Sequence, residues 1–164
     1  MLHRVLGIHG ATEGLPVKAG LCWAGGNLHR NDRNRSSQIT DWVPLLKVPG
    51  VTWISLQWGP RAGEALAYPF ADTIADTTDL LQTSDVIRTL DLVVTVDTVI
   101  LHMAGAIGVE TWAAVASSPD FRWGLKVGLT PWYPSVRLFR QEKAGEWGPV
   151  VEAMASYLRE RLGT

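Results

Sequence analysis

The segment "LVVTV", Leu92–Val96, is apolar or β-branched at all five positions, and within three residues it gives way to the helix-like segment "VILHMAGAI". A strand with no polar position has no face to turn to water, so both of its faces must be covered. Such a strand belongs in the middle of a three-layer sandwich, where helical crossovers pack on either side of a parallel sheet. The rest of the chain follows the same alternation, with Gly and Pro as punctuation.

The spacing of apolar residues predicts strands over Lys18–Ala24 and Val51–Trp58. Between them lies a polar loop and a short helix, capped by Ser36 or Ser37 and ending near Leu46. A polar, Ala-rich stretch then runs to Thr78, with a short helix and a short strand around Thr73–Ala75. Helix Thr83–Leu90 precedes the strand Leu92–Val96, and the helix after Asp97 ends at Gly108, which supplies a C′ residue able to take positive φ. Strand Thr111–Ala116, a Pro- and Trp-rich loop Ser117–Ser135, strand Val136–Arg140 and a final helix Trp147–Leu162 complete the pattern. The fold class expected is α/β: a three-layer, Rossmann-like parallel sheet with helices on both faces. Residues 1–17 read as a linker or remnant, and 18–164 as one domain.

Charge removes several classes of function. Fifteen basic side chains stand against sixteen acidic ones, so no bulk field draws the chain to nucleic acid or to an anionic membrane. No apolar run approaches the roughly twenty residues of a membrane span, and the first sixteen residues lack a signal-peptide core, so the expected location is the cytoplasm. Cys22 is the single cysteine and reads as a buried, inert thiol. Neither G-x-G-x-x-G, nor a phosphate-binding loop of the NTPase kind, nor G-x-S-x-G occurs. The four histidines show no metal-ligand spacing, and no D-x-D pair is present to hold a divalent cation, so neither metal nor cofactor is expected.

The chemistry concentrates where the strand Leu92–Val96 hands over to the next helix. Ligands of open α/β sheets bind beyond the carboxyl ends of the strands, and Asp97 lies at such an end. With Thr98 as N-cap, the amides of Val99, Ile100 and Leu101 open the helix without intrahelical partners, which makes an anion site. His102, one turn on, leans back toward the same point. Asp-Thr before a helix is equally ordinary capping chemistry, with His102 a satisfied buried histidine. The loop after the first strand brings Asn27, His29, Arg30, Asn31, Asp32, Arg33 and Arg35 to the same end of the sheet, where a merely solvated loop is the more ordinary account, and Gln57 ends the second strand there, able to read a base or to bind backbone. Of the eight tryptophans, Trp23, Trp53 and Trp112 sit in apolar strands as core, whereas Trp123 and Trp132 lie in the long loop as candidates for lining a pocket.

With "GLCWAGGNLHRNDRNRS", "SLQWGP", "LDLVVTVDTVILHMAGAIG" and "PWYPSVRLFRQ" taken together, the chain from Lys18 onward resembles the C-terminal nucleotide-sugar-binding half of GT-B glycosyltransferases, in particular the heptosyltransferase-like (glycosyltransferase family 9) domains found after tetratricopeptide repeats. The resemblance implies a donor diphosphate facing Asp97, Thr98, the amides from Val99, and His102. Gly26, Asn27, His29, Arg33 and Gln57 would border the same nucleotide-sugar site. It departs at Trp58 and Arg30, where relatives carry lysine, and at Gln82, where they carry aspartate. It further implies inverting, metal-independent transfer from a UDP- or ADP-linked sugar. The acceptor and the general base would belong to an N-terminal domain that residues before Lys18 do not form, so no catalytic residue is assigned and the chain alone is expected to bind without turnover. The rival reading is a degenerate module that keeps the fold without the ligand and pairs two copies of the chain. A phosphate-transfer or epimerase-like enzyme on a similar two-domain plan is a third.

Overall fold

The computed structural model describes residues 15–26, 30–74, 79–124 and 128–164. Seven strands form one sheet: β1 (Val17–Cys22), β2 (Val51–Ser55), β3 (Phe70–Thr73), β4 (Leu92–Val96), β5 (Thr111–Val115), β6 (Gly128–Leu129) and β7 (Val136–Arg140). Their order is β3-β2-β1-β4-β5-β7-β6. The first six positions in that order are parallel, and only β6 runs antiparallel, against β7. This is the Rossmann order, in which the direction of winding reverses between β1 and β4 and opens a crevice at their carboxyl ends. The α/β class is therefore as expected.

Helices α1 (Asp32–Arg35), α2 (Val43–Leu46), α3 (Leu80–Arg88), α4 (Val99–Ile107) and α5 (Gly148–Leu162) join the strands. The sheet is buried on both faces. Leu92, Val94 and Val96 enter a cluster with Trp42 and Leu45 on the α2 side and Met154 of α5. Val93 points the other way, among Ile54, Ile87 and Ile100 under α3 and α4. Each such aliphatic side chain contributes roughly 1.5–3 kcal/mol on leaving water, which is why the all-apolar β4 sits at the centre. No helix among the described residues is long and apolar enough to cross a membrane.

Element boundaries differ from the expected ones for identifiable reasons. Ser36 and Ser37 do not cap a helix. Gln38 and Asp41 form a reciprocal capping box around a 3-10 turn, Ile39–Trp42, which runs into α2. Ser37 Oγ instead donates to the Trp23 carbonyl and accepts from Trp42 Nε1. Helix α3 begins three residues early because Asp79 caps it, its carboxylate accepting from the Leu81 amide at 2.8 Å; Leu80 and Leu81 are exposed, so apolar periodicity could not reveal that turn. Strand β2 stops at Ser55 because Gln57 turns toward β1, and β3 lies at 70–73, with residue 75 of its expected span outside the described residues. The first fourteen residues of the expected linker also lie outside them. Helix α4 ends at Gly108, as expected, with φ 87°.

Candidate functional site

The carboxyl ends of β1 and β4 carry the chain's densest polar contacts. Arg35, from α1, lies across the gap: its Nη1 donates to the Asp97 carbonyl at 2.9 Å, while its Nε pairs with Asp32 at 3.3 Å. Gly25 makes room for this, since a Cβ there would stand 2.5 Å from Arg35 Nη2 and 2.7 Å from Asp32 Oδ1. The arginine-bearing segment and the start of α4 are thus fastened to one another. Gly26 and Arg33 are exposed on that segment, as is Arg30. Asn27 and His29 fall outside the described residues.

Thr98 caps α4 and is buried. Its Oγ1 accepts from the Ile100 amide at 3.2 Å and exchanges a hydrogen bond with Thr95 Oγ1. The Leu101 amide donates to the Thr98 carbonyl. Of the three amides expected to be open, that of Val99 alone has no partner among the described residues. Asp97 is half-buried, and its carboxylate accepts no hydrogen bond from them. The helix end therefore offers an anion one free N–H and the positive end of the helix dipole, not a full ring of amides.

Gln57 is 2% exposed, and its amide is fully engaged. Oε1 accepts from the Trp23 and Ala24 amides at 3.2 and 2.9 Å, and Nε2 donates to the Ala24 and Trp58 carbonyls at 3.1 and 3.2 Å. Of the two roles open to it from sequence, binding backbone is the one observed: it extends the β1–β2 pairing past the last strand residue and fixes where β1 ends. Cys22, 3.9 Å from Thr98 Oγ1, is buried, and desolvation pushes its thiol up to about 11.

His102 meets residues of the loop between β5 and β7 while staying within the field of Asp97. Its ring stacks on Trp123, centroids 5.5 Å apart. Its Nδ1 lies 3.0 Å from Tyr133 Oη and its Nε2 3.3 Å from Arg122 Nη1. Burial, and then the Arg122 guanidinium, hold His102 below the ordinary histidine value, with Asp97 and Asp120 pulling the other way. Arg122 is itself held by Asp120 at 2.7 Å. These residues surround a recess of about 210 Å³ lined by His102, Phe121, Arg122, Trp123, Trp132 and Tyr133. Trp123 and Trp132 are thus where a pocket-lining role would put them. Arg122 and Tyr133 were not legible as site residues, since their contacts with His102 span 20 and 31 residues and loops carry no periodic signal. Among the described residues no group of three His, Cys, Asp or Glu could hold a metal ion.

The charges are nearly balanced. Arg35 and Arg122 each have a carboxylate partner, so the positive charge left to meet an anion is that of the α4 end, Arg30 and Arg33, set against the Asp97 carboxylate.

No protein-family model matches the chain. Protein FlbA of Caulobacter vibrioides is 29% identical over 152 residues, which cover 87% of this chain and 25% of FlbA. Among solved structures, Escherichia coli ADP-heptose LPS heptosyltransferase II superposes with a TM-score of 0.65 at 16% identity, covering 92% of this chain and 49% of that one. E. coli heptosyltransferase WaaC with ADP-2-deoxy-2-fluoro heptose gives a TM-score of 0.65 at 14% identity over 90% of this chain and 44% of that one. The chain spans a quarter of the curated relative it matches and just under half of each of these structures. At these identities the likeness is one of fold, and the fold is that of one half of a heptosyltransferase-like GT-B glycosyltransferase.

Proposed function

We propose that the chain is the nucleotide diphosphate-sugar-binding, C-terminal half of an inverting, metal-independent glycosyltransferase, dependent on an N-terminal acceptor domain for turnover. The observation that carries this reading is the 2.9 Å bond from Arg35 to the Asp97 carbonyl. It sets the arginine-bearing segment and the start of α4 over the same switch point, where α/β sheets bind nucleotides. A diphosphate there would accept from the Val99 amide and meet Arg33 and Arg30 from the α1 side. The backbone at Gly26 would border it, while Thr98 and Gln57 hold the frame. During transfer, the same donors would stabilise charge gathering on the departing diphosphate. The presence of ADP or an ADP-sugar analogue in two of the similar structures makes adenine nucleotides the first to test.

Calorimetry with ADP, UDP, ADP-glucose and UDP-glucose supplies that test. At least one nucleotide should bind, and Arg33→Glu should weaken it roughly tenfold by removing one charge-assisted contact and adding a repulsion. Absence of heat and of any rise in melting temperature with all four removes the reading.

A second reading has one observation in its favour. Trp58, Val99 and Phe121 are exposed apolar side chains, each following the carboxyl end of a parallel strand. Such a face suits pairing with a second copy or another domain. A nucleotide-indifferent dimer in light scattering, dissociated by Trp58→Asp, would favour it.

A further inference from the structure

The recess between α4 and the β5–β7 loop has a chemistry of its own. Its walls are the rings of Trp123, Trp132, Tyr133 and Phe121, of which Trp132 and Phe121 are more than half exposed. Trp132 is nevertheless pinned, because its Nε1 donates to the Arg122 carbonyl at 2.9 Å. A fixed, exposed aromatic face is an apolar platform with little rotamer entropy left to lose on binding.

The polar groups follow from the hydrogen bonds. A guanidinium only donates, so at the 3.3 Å contact with Arg122 the His102 Nε2 must be the lone-pair nitrogen. A neutral imidazole then carries its proton on Nδ1 and donates it to Tyr133 Oη. Tyr133 accepts from His102, and its own O–H hydrogen is left free. Arg122 uses Nε on Asp120 and Nη1 on His102, leaving Nη2 unspent. Asp120 Oδ1 takes both the Nε and the backbone amide of Arg122, leaving Oδ2 unspent. The recess therefore combines an aromatic platform with two open sets of donors, while Asp120, the partner of Arg122, is not among its lining residues. Asp120 and Asp97 together offset the Arg122 charge, so no excess of positive charge selects for an anion.

An apolar flat face edged by donors, with no excess of positive charge, is the complement of a sugar ring, whose C–H face is apolar and whose rim is hydroxyl. We infer that this recess binds a pyranose ring, stacked on Trp132 and hydrogen-bonded by Arg122 and Tyr133. The inference deepens the nucleotide-sugar reading and rests on it for one of two sources of the ring: the glycosyl group of the donor, or a free glycoside at an acceptor position.

Two arms separate these sources. In the first, calorimetry compares ADP with ADP-glucose, and UDP with UDP-glucose, for the wild-type chain and for Trp132→Ala. In the second, saturation-transfer NMR follows methyl α-glucopyranoside, methyl α-mannopyranoside and methyl N-acetyl-glucosaminide. Trp132 is exposed, so its removal leaves the fold intact, which thermal melting checks, and Trp132→Phe should restore most of the effect. A sugar-linked nucleotide that binds tighter than its parent, with an advantage of roughly fivefold to tenfold lost in Trp132→Ala, places the donor ring in the recess. A glycoside signal lost in the same variant, without that advantage, places an acceptor ring there. Sugar-independent nucleotide binding with no glycoside signal overturns the inference while leaving the nucleotide site standing. A glycoside signal without any nucleotide binding does the reverse. Sugar effects that persist unchanged in Trp132→Ala also overturn it.

Discussion

His102 shows how one side chain's surroundings set its chemistry. Its two ring nitrogens are occupied by Tyr133 and Arg122, and the folded chain holds it below its ordinary value. In the unfolded chain it titrates near about 6.5. As pH falls through that value the unfolded state takes up a proton that the folded state does not, so stability is present above about pH 6.5 and is lost as pH drops toward the lower folded value. Urea unfolding between pH 7.5 and 5.5 should therefore show a falling midpoint, and His102→Gln should flatten the slope. The spacing of Asp97, Thr98 and His102 was readable in sequence. Which way the imidazole faced was not, because Arg122 and Tyr133 reach it from a loop whose order has no repeating pattern. Gln57 teaches the same lesson: its place at the end of β2 was visible, but three of the four backbone groups that take up its amide lie just past the end of β1.

Among the elements, β4 and α4 were the most legible, since an all-apolar strand, a threonine cap and a closing glycine leave few alternatives. The small residues inside α4 required the structure. A Cβ on Gly105 would stand 2.6 Å from Tyr133 Cγ, so its bareness serves the loop. Ala104, by contrast, is buried in the cluster beneath the helix. Gly105→Ala should push the Tyr133 ring off α4, break its bond to His102 and cost about 1–3 kcal/mol through overpacking that outweighs any gain in helix propensity. Chemical denaturation measures the loss, and an altered His102 shift by NMR locates it. Short elements were the least legible: α1 and α2 have four residues each, too few for a period, and the 3-10 turn between them starts at a Gln38–Asp41 capping box that no apolar spacing marks.

For the molecule as a whole, the layers followed from alternation, because a sheet apolar on both faces must be covered on both, whereas the strand order and the antiparallel β6 required the structure. Cys22, at the end of β1 and in the middle of the sheet, reports on the integrity of that arrangement. With its thiol at about 11 and no solvent access, it should alkylate with iodoacetamide at pH 8 at least about a hundredfold more slowly in the native state than in denaturant. A native rate close to the denatured one would mean that the carboxyl end of β1 opens readily. The sheet's flanks have a consequence of another kind. Strand β3 closes one side with four residues and β6 the other with two, the latter turned against the direction of its neighbours. Margins so brief give an incoming chain almost nothing to zip onto, so growth of this protein by lateral strand recruitment is disfavoured on both flanks.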